Sequence, residues 1–249
     1  MDLTNKVALV TGGGTGVGHA TSLLLAEKGC DLVVNYSRSE KEALDTVVEI
    51  EKLGRKAIAV QADVSDESAI NAMFEKVDEQ FGRIDILVNS AAMTRFVAYD
   101  DLDGMTGEIW DEIFAVNVKG LFFCCREAIK RMKKLGSGSV VSVSSISGMT
   151  GMGSSIAYAS SKASVNCMTR SLAISGAPNV SVNAVAPGVI ETRWIKGWEA
   201  FTDPHREATP LERHAQPQDV AMAIYGLIIN PFMTGQTITV DGGRSLGAT

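Results

Sequence analysis

Short apolar runs alternate along the chain with longer segments in which apolar residues recur every three or four positions. The short runs are nearly all apolar, which is typical of strands that are covered on both faces of a sheet. They predict strands at Val7–Thr11, Asp31–Tyr36, Lys56–Asp63, Ile86–Ser90, Ser139–Ser144, Val180–Ala186 and Gln236–Val240.

The longer segments have the spacing of amphipathic helices. They predict helices at Val17–Lys28, Ser39–Leu53, Asp66–Gln80, about Glu108 to Lys134, Tyr158–Ile174 and after Pro217. Regular alternation of strands and helices predicts an α/β fold with one doubly wound parallel sheet, helices on both faces, and a single domain over residues 1–249. Residues 188–216 show neither period. Because loops of this length in a compact domain are often functional, we predict that they form a substrate loop.

The composition excludes several kinds of partner. The chain of 249 residues is 45% hydrophobic and 21% charged, with a formal net charge of −6 and no basic run. Nucleic acids and anionic membranes are therefore poor candidates. No apolar stretch reaches the length of a membrane span and no signal peptide is recognisable, so we expect a cytoplasmic protein. The histidines and cysteines have no metal-ligand spacing, so we expect no metal site.

A glycine-rich segment, Thr11–Gly18, joins the first strand to the first helix. Glycines let the backbone approach a pyrophosphate closely, and a helix N-terminus offers free N–H groups and the positive end of its dipole. The fingerprint GxGxxG is not matched, because His19 stands where its third glycine would fall. The context still predicts dinucleotide binding, and a structural glycine turn is the alternative.

The end of the second strand bears on which dinucleotide is bound. An acid there would bind the ribose 2′-hydroxyl of NAD, whereas an arginine fits the 2′-phosphate of NADP. Tyr36, Ser37 and Arg38 occupy this position, with no acid among them. NADP(H) is therefore favoured, and NAD(H) is the alternative. Arg38 could instead be a surface residue that pairs with Glu42.

Tyr158 and Lys162 are four residues apart on a predicted helix, so their side chains share one face. A free tyrosine has a pKa near 10, and a neighbouring ammonium is expected to lower that pKa by favouring the phenolate. Such a tyrosine could give a proton to a carbonyl oxygen while a hydride arrives at the carbon. A surface pair without function is the alternative.

Two further polar residues are candidates for the same site. Ser145 follows the fifth predicted strand and could hold a substrate oxygen, with turn chemistry as the alternative. Asn117 lies inside a helical pattern, where asparagine is unfavourable, which indicates either a special role or a satisfied core amide.

Most of these candidates directly follow predicted strands. In a parallel sheet the carboxyl ends of the strands share one edge, and ligands bind along that edge. The positions concerned are the glycine segment, Arg38, Asp63, Asn89, Ser145 and Pro187-Gly188. The sequence therefore predicts a single crevice that all of them line.

Together these motifs resemble the short-chain dehydrogenase/reductase family, more closely its 3-oxoacyl-carrier-protein reductase-like members, over essentially the whole chain. The resemblance implies a Rossmann-type fold. It places cofactor-binding residues at Gly12, Thr15, Gly16, Val17, Gly18, Tyr36, Ser37, Arg38, Asp63, Val64, Asn89, Ser90, Ala91, Tyr158, Lys162, Pro187, Gly188, Ile190 and Thr192. Ser90 and Ala92 depart from the family pattern, which has asparagine and glycine there.

The resemblance also implies a catalytic tetrad of Asn117, Ser145, Tyr158 and Lys162. Tyr158 would be the general acid and base, and Ser145 would orient the carbonyl. Lys162 would bind the nicotinamide ribose and tune Tyr158, and Asn117 would hold a water in a proton relay. The family further implies a homotetramer, with interfaces at the helices Tyr158–Ile174 and Gln218–Ile229.

Substrate contacts are expected from three loops near the tetrad: Met93–Phe96, Ser147–Ser154 and Gly188–Gln216. Their large apolar side chains indicate an apolar pocket or, alternatively, the packing of a lid or a subunit contact; they are Met149, Met152, Trp194 and Trp198. Three basic residues are candidates for docking an acidic carrier protein: Arg95, Arg193 and Lys196.

We therefore predict an oxidoreductase that uses NADPH to reduce a ketone or 3-oxoacyl thioester to the secondary alcohol. The same residues serve the reverse reaction, so a dehydrogenase for secondary, sugar or cyclic alcohols is the alternative. A non-catalytic cofactor-sensing protein on the same fold is a further alternative, against which the intact tetrad argues.

Overall fold

The strands lie side by side in one sheet. We describe residues 2–197 and 199–247 of the protein in a computed structural model. The strands are β1 (Val7–Thr11), β2 (Asp31–Tyr36), β3 (Ala57–Gln61), β4 (Ile86–Asn89), β5 (Gly138–Val143), β6 (Val180–Pro187) and β7 (Thr237–Val240). They form a seven-stranded parallel sheet in the order β3-β2-β1-β4-β5-β6-β7. The predicted doubly wound parallel sheet is confirmed.

Most helices begin and end close to their predicted positions. They are α1 (Gly16–Glu27), α2 (Glu40–Lys52), α3 (Glu67–Phe81), α4 (Gly107–Phe114), α5 (Leu121–Leu135), α6 (Ser147–Thr150), α7 (Ile156–Gly176), α8 (Glu199–Glu207) and α9 (Pro217–Ile229). Side chains cap several of the starts, among them those of α3 and α7. Asp66 accepts a hydrogen bond from Ser68 N at 2.8 Å, and Ser155 accepts one from Tyr158 N at 3.2 Å. None of the helices in the described residues has the length and apolarity to cross a bilayer.

The predicted helix from Glu108 to Lys134 is continuous but not uniform. Between α4 and α5, residues Ala115–Gly120 form a π-helical segment. A Cβ on Gly120 would lie 2.1 Å from the carbonyl oxygen of Val64, so the segment passes directly against the backbone beyond β3. Short π segments inside α-helices are rare and occur frequently at functional sites. Asn117 lies within this one, so the unfavourable asparagine in the sequence marks a real irregularity of the helix.

Residues 188–216 are more regular than predicted. They contain a 3-10 turn at Arg193–Ile195 and helix α8, so the expectation of an irregular loop is wrong for this part of the chain. A bridge between Ile190 and Ala215 closes the base of the excursion. The buried His214 contacts a carbonyl oxygen of α8 through Nε2 at 2.9 Å and ties that helix to the base.

Each face of the sheet is covered by its own hydrophobic cluster. On one face α3, α5 and α7 pack with side chains such as Phe74 and Val165. On the other face α1, α2 and α9 pack with side chains such as Leu25 and Ile224. Because both faces are filled, only the ends of the strands remain open to ligands.

A buried carboxylate anchors the amino end of the sheet, just before β4. Asp85 accepts hydrogen bonds from Arg83 Nε at 2.8 Å and from Val7 N at 3.0 Å, and Lys6 Nζ lies 3.3 Å from its other oxygen. Burial acts to raise the pKa of Asp85. The hydrogen bonds and the charges of Arg83 and Lys6 outweigh burial and hold the pKa below its usual range.

We expect D85N to lower the free energy of unfolding by about 3 kcal/mol, because Arg83 would lose its charged partner. The folded-state pKa of Asp85 lies below its unfolded value. This stabilisation is therefore present above about pH 4 and is lost as the pH falls through the folded-state pKa. Urea unfolding of wild type and variant at pH 7 and at pH 3 measures both effects. In the control D45N, which removes an exposed pair with Lys41, we expect a change within about 0.5 kcal/mol; equal losses in the two variants would contradict the prediction.

Candidate active site

A cleft of about 1080 Å³ opens at the carboxyl edge of the sheet. Residues following β1 and β4 line it, and the strand order reverses between these two strands, which is where open α/β sheets bind ligands. The sequence-predicted residues that line it are Gly12, Thr15, Gly16, Val17, Tyr36, Ser37, Arg38, Asp63, Val64, Ser90, Ala91, Ser145, Tyr158, Lys162, Pro187, Gly188, Ile190 and Thr192. Gly18, Asn89 and Asn117 lie outside the lining.

The glycine segment turns tightly because its backbone packs against itself and against α2. A Cβ on Gly18 would lie 2.2 Å from the carbonyl oxygen of Gly12, and a Cβ on Gly14 would lie 2.7 Å from Ala43 N. Gly18 thus permits the turn without lining the cleft. The side chain of Thr15 does not cap α1, so the N–H groups of the first turn are left for a ligand. We call this glycine segment and helix start the cradle; a pyrophosphate fits it.

Sequence reasoning missed Asn35, which supports the cradle from β2. Its buried amide donates to the carbonyl oxygens of Val60 at 3.2 Å and Ala62 at 3.0 Å. Its Oδ1 accepts from Gly12 N at 3.4 Å, and its own carbonyl oxygen accepts from Gly13 N at 3.0 Å. A single polar residue inside an otherwise apolar strand is the signal that could have identified it.

Asp63, the carboxylate that follows β3 beside the end of β2, is engaged by two serines of the chain itself. Ser37 Oγ donates to one oxygen of Asp63 at 3.2 Å, and Ser65 donates its N–H and hydroxyl to the other at 2.9 and 2.7 Å. Burial acts to raise the pKa of Asp63, but these hydrogen bonds and the charge of Arg38 outweigh it and keep the pKa below its usual range. Arg38 itself makes no hydrogen bond or close ion pair through its side chain with any described residue, and it lines the cleft.

Glu42 pairs with Arg193 rather than with Arg38, so the alternative partner proposed for Arg38 is wrong. Arg193 Nη1 lies 2.9 Å from Glu42 Oε1, and Nη2 donates to Ser39 Oγ at 2.8 Å. We call these two contacts the clasp. Both charged side chains are half exposed, so the ion pair contributes at most about 1 kcal/mol. The clasp nevertheless joins residues 188–216 to α2 at the rim of the cleft.

The departures from the family pattern after β4 leave an ordered backbone. Thr11 Oγ1 accepts hydrogen bonds from the N–H groups of Ser90 and Ala91, both at 3.1 Å. Ala92 follows in the lining of the cleft. Asn89, which the resemblance assigns to the cofactor, is buried and donates to side chains of α5 and β5, both at 3.2 Å. It holds the strand ends together from beneath the cleft.

Tyr158, Ser145 and Lys162 meet where α7 docks on the end of β5. Tyr158 and Ser145 both line the cleft, and Ser145 Oγ donates to Ser147 Oγ at 3.1 Å. Lys162 Nζ lies 5.6 Å from the centroid of the Tyr158 ring and donates to the carbonyl oxygen of Val143 at 2.8 Å. Ser144 Oγ donates to the main-chain oxygen of Lys162 at 3.1 Å. The end of β5 therefore fixes both the helix and its lysine side chain.

Burial shifts the pKa values of this pair in opposite directions. It raises the pKa of Tyr158 to about 12, and the nearby Ser145 hydroxyl offsets only part of that rise. It lowers the pKa of Lys162 to about 8. The tuning of Tyr158 by the ammonium of Lys162 stays a prediction. At neutral pH, Tyr158 is a protonated phenol that can act as an acid.

The side chain of Asn117 braces the site from the π segment. Its Oδ1 accepts from Met93 N at 2.9 Å, and its Nδ2 donates to Met93 O and to Ser161 Oγ, both at 3.0 Å. Ser161 in turn donates to the main-chain oxygen of Tyr158 at 2.7 Å. Because both amide hydrogens are used, a water in a relay would have to donate to Oδ1 or bind the main chain.

Two segments on the substrate side of Tyr158 are joined by hydrogen bonds. Val97 N donates to the carbonyl oxygen of Ser154 at 3.0 Å. The hydroxyl of Tyr99 donates to the carbonyl oxygen of Gly151 at 2.7 Å. The hydroxyls of Thr94 and Ser154 also share a hydrogen bond. These contacts turn the loops after β4 and β5 into one wall of the cleft.

The apolar residues predicted for a pocket separate into two groups. Met152 and Trp194 line the cleft, with 62% and 42% of their surfaces exposed, whereas Met149 does not line it. Trp198 lies outside the described residues. Of the basic residues predicted for carrier docking, Arg95 and Arg193 are paired with glutamates.

Comparisons with known proteins agree with this architecture. A family model described as Enoyl-(Acyl carrier protein) reductase matches residues 12–245. A Streptomyces violaceoruber protein assigned as ketoacyl reductase 2 of the granaticin polyketide synthase is 41% identical over 96% of each chain. The 3-oxoacyl-[acyl-carrier-protein] reductase of a Synechocystis species is 40% identical over 97% of each chain. A Burkholderia xenovorans structure assigned to the short-chain dehydrogenases/reductases superposes with a TM-score of 0.92 at 31% identity, covering 98% of this chain and 99% of that one.

The chain belongs to the short-chain dehydrogenase/reductase family, as its motifs indicated. It is therefore an NAD(P)-dependent oxidoreductase that acts on CH–OH or C=O groups. The cradle is compatible with the pyrophosphate of this cofactor, since any side chain larger than glycine at positions 14 and 18 would collide with backbone.

We expect G18A to raise the dissociation constants of NADPH and NADH by at least about 10-fold, because the added methyl group must displace the Gly12 carbonyl and so deform the cradle. Quenching of intrinsic fluorescence on cofactor titration measures the binding. G226A is the matched control: a Cβ there meets nothing within 4 Å, and alanine at this helix position should stabilise the fold by up to about 1 kcal/mol. Wild-type affinity in G18A would contradict the role given to the turn.

Proposed function

We propose that the protein is a reductase that uses NADPH to convert a ketone, including a 3-oxoacyl thioester, into the secondary alcohol. The observation that carries this proposal is the placement of Tyr158, Ser145 and Lys162 together in the cleft, on the same sheet edge as the cradle, with Lys162 Nζ 5.6 Å from the centroid of the Tyr158 ring. The relatives assigned as ketoacyl and 3-oxoacyl reductases support this substrate class.

Proton transfer from Tyr158 is the step that the chain itself supplies. When bound, NADPH provides the hydride that reaches the carbonyl carbon. Tyr158 donates its phenolic proton to the carbonyl oxygen, so that C=O becomes CH–OH and Tyr158 becomes a phenolate. A pKa of about 12 keeps the phenol protonated at neutral pH, and the developing alkoxide is the stronger base, so the transfer is favourable. Ser145 holds the same oxygen through its hydroxyl.

Lys162 and Asn117 support that step in different ways. Lys162 is largely cationic below its pKa of about 8 and stabilises the phenolate that follows proton transfer. We also assign it to the ribose next to the nicotinamide. Asn117 is a positioning residue, because it acts on Tyr158 through Ser161.

Arg38 favours NADPH over NADH. Its guanidinium lines the cleft beyond β2 without a close partner among the described residues, and the nearby Asp63 has both oxygens occupied. A 2′-phosphate would satisfy that guanidinium, whereas a 2′-hydroxyl would find no free carboxylate there. NAD(H) remains the alternative cofactor. The residues that contact the cofactor in this proposal are those named from the sequence, except that Asn89 and Gly18 support the site without lining the cleft.

In this proposal residues 188–216 form the substrate loop. The protein is a homotetramer in the cytoplasm. Ile174 on α7 and Met222 on α9 are 81% and 56% exposed, which supports burial of these helices in subunit interfaces. Oxidation of a secondary alcohol uses the same residues in reverse. Arg95 and Arg193 are each paired with a glutamate in an exposed ion pair, which a docked carrier protein would have to replace.

We expect Y158F to lower kcat for ketone reduction by about 10²- to 10⁴-fold, because the general acid is removed while the ring remains. Absorbance of the reduced cofactor at saturating ketone and NADPH measures the rate. Cofactor affinity should change less than about threefold, which shows that the variant is folded. The control Y225F removes the hydroxyl of a tyrosine on α9 that does not line the cleft, and it should retain wild-type turnover. Unchanged kcat in Y158F would refute the mechanism.

We expect R38L to lower kcat/KM for NADPH by about 10- to 100-fold, because charged hydrogen bonds to the phosphate are lost. The kcat/KM for NADH should stay within about threefold. Initial rates with both cofactors at a fixed ketone concentration measure the ratio. K41Q removes an exposed charge on α2 that already pairs with Asp45, and it should leave the ratio unchanged. A wild-type enzyme that prefers NADH would overturn the cofactor assignment.

A further inference from the structure

The cleft extends beyond the catalytic residues to the end of the last strand. There its wall is made by α8 and by the segment after β7, and the residues concerned are Thr202, His205, Arg244, Ser245 and Gly247. Thr202 and His205 belong to the predicted substrate loop 188–216, whereas Arg244, Ser245 and Gly247 were not singled out from the sequence. None of the five has a part in the proton transfer. They form what we call the distal wall.

Arg244 is held in the distal wall by a fixed turn. Asp241 accepts hydrogen bonds from Gly243 N at 2.9 Å and Ser245 N at 2.7 Å. Gly243 has a φ of 88°, and a Cβ on it would lie 3.0 Å from Pro210 in the substrate loop. The turn is therefore packed directly against that loop, and Arg244 is presented from an ordered backbone.

No carboxylate among the described residues lies within ion-pair distance of Arg244. Its Nε is buried without a hydrogen-bond partner, and its guanidinium makes no close ion pair across residues 2–197 and 199–247. Burial, and then the charges of Arg244 and His214, lower the pKa of His205, so this imidazole lies within the field of the guanidinium. A partly buried guanidinium without a carboxylate is unfavourable, and a ligand anion would satisfy it.

Arg244, which follows β7, lies far from Arg38, which follows β2. Five strand spacings, roughly 24 Å, separate β2 from β7, so Arg38 and Arg244 cannot share one phosphate. Only two spacings, roughly 10 Å, separate β7 from β5, which carries Ser145 at its end. The distal wall therefore lies within reach of a substrate whose carbonyl is held by Ser145 and Tyr158.

We infer that Arg244 selects ketone substrates that carry an anionic group, a carboxylate or a phosphate, several bonds away from the reacting carbonyl. This inference rests on the proposed ketone reduction and adds the substrate class. Arg244 is thus a specificity-determining residue and takes no part in the proton transfer. The apolar Met152 and Trp194 elsewhere in the cleft suit the alkyl chain between the two ends.

A series of oxo acids tests the inference. The probes are CH₃–CO–(CH₂)n–COO⁻ with n from 2 to 8, together with their methyl esters, assayed with NADPH. Wild type should favour the acid over its ester by at least about 10-fold in kcat/KM at the best length. R244Q should lose about 10- to 100-fold on that acid and less than about threefold on the ester, since a charge-assisted interaction is removed from one ligand only. R244K, which keeps the charge, should recover part of the preference.

K130Q provides the control. Lys130 is an exposed cation of α5 that lies 3.0 Å from Glu127 and does not line the cleft, so this variant should behave as wild type with every probe. Cofactor titration and thermal unfolding of R244Q establish that it is folded and binds NADPH normally. A phosphate-bearing ketone of the best length distinguishes the two anions.

The outcomes separate the two proposals. Turnover of esters and acids with equal efficiency, or equal losses on both in R244Q, would overturn the inference and leave ketone reduction standing. A higher KM for NADPH in R244Q with unchanged discrimination would assign the charge to the cofactor and also overturn it. A wild-type enzyme that reduces neither acids nor esters, nor any other ketone, would overturn the proposed function and this inference with it.

Discussion

Parallel hydrogen bonding of the strands is the constraint on which the rest of the structure depends. It places the carboxyl ends of all the strands at the same edge of the sheet. At this edge the loops after β1 and β4 run in opposite directions, because the strand order reverses between them, and a crevice is left between these loops. Both faces of the sheet are occupied by helices, so chemistry can gather only at this edge. The cradle, Tyr158 and the distal wall, although far apart in the sequence, therefore line one cleft.

Features that depend only on a short stretch of neighbouring residues were predictable from the sequence. Apolar runs located the strands, and glycine spacing located the cradle, because both patterns follow directly from backbone geometry. The edge position of Ser145 and Arg38 followed from the end of a strand alone. Asn117 was found because asparagine is costly inside a helix, although only the structure shows the π segment and the bonds to Met93 and Ser161 that explain it.

Features that depend on distant contacts were not predictable. Helix α8 contains Pro204, which removes the usual helix signal, and its attachment to His214 is a tertiary contact. The pKa of Tyr158 depends on how fully the chain excludes water from it, which a spacing of four residues cannot reveal. Arg244 looked like an ordinary residue near the end of the chain, because the absence of a partner becomes visible only when its surroundings are assembled.

The clasp between Arg193 and Glu42 joins two stretches that lie far apart in the sequence. One ion pair and one hydrogen bond hold residues 188–216 to the start of α2, the helix that packs against the cradle. Because both charged side chains are half exposed, dissolved salt weakens this attachment. The rim of the cleft is therefore held by contacts that respond to ionic strength, whereas the sheet edge beneath it is fixed by the buried hydrogen bonds of the strands.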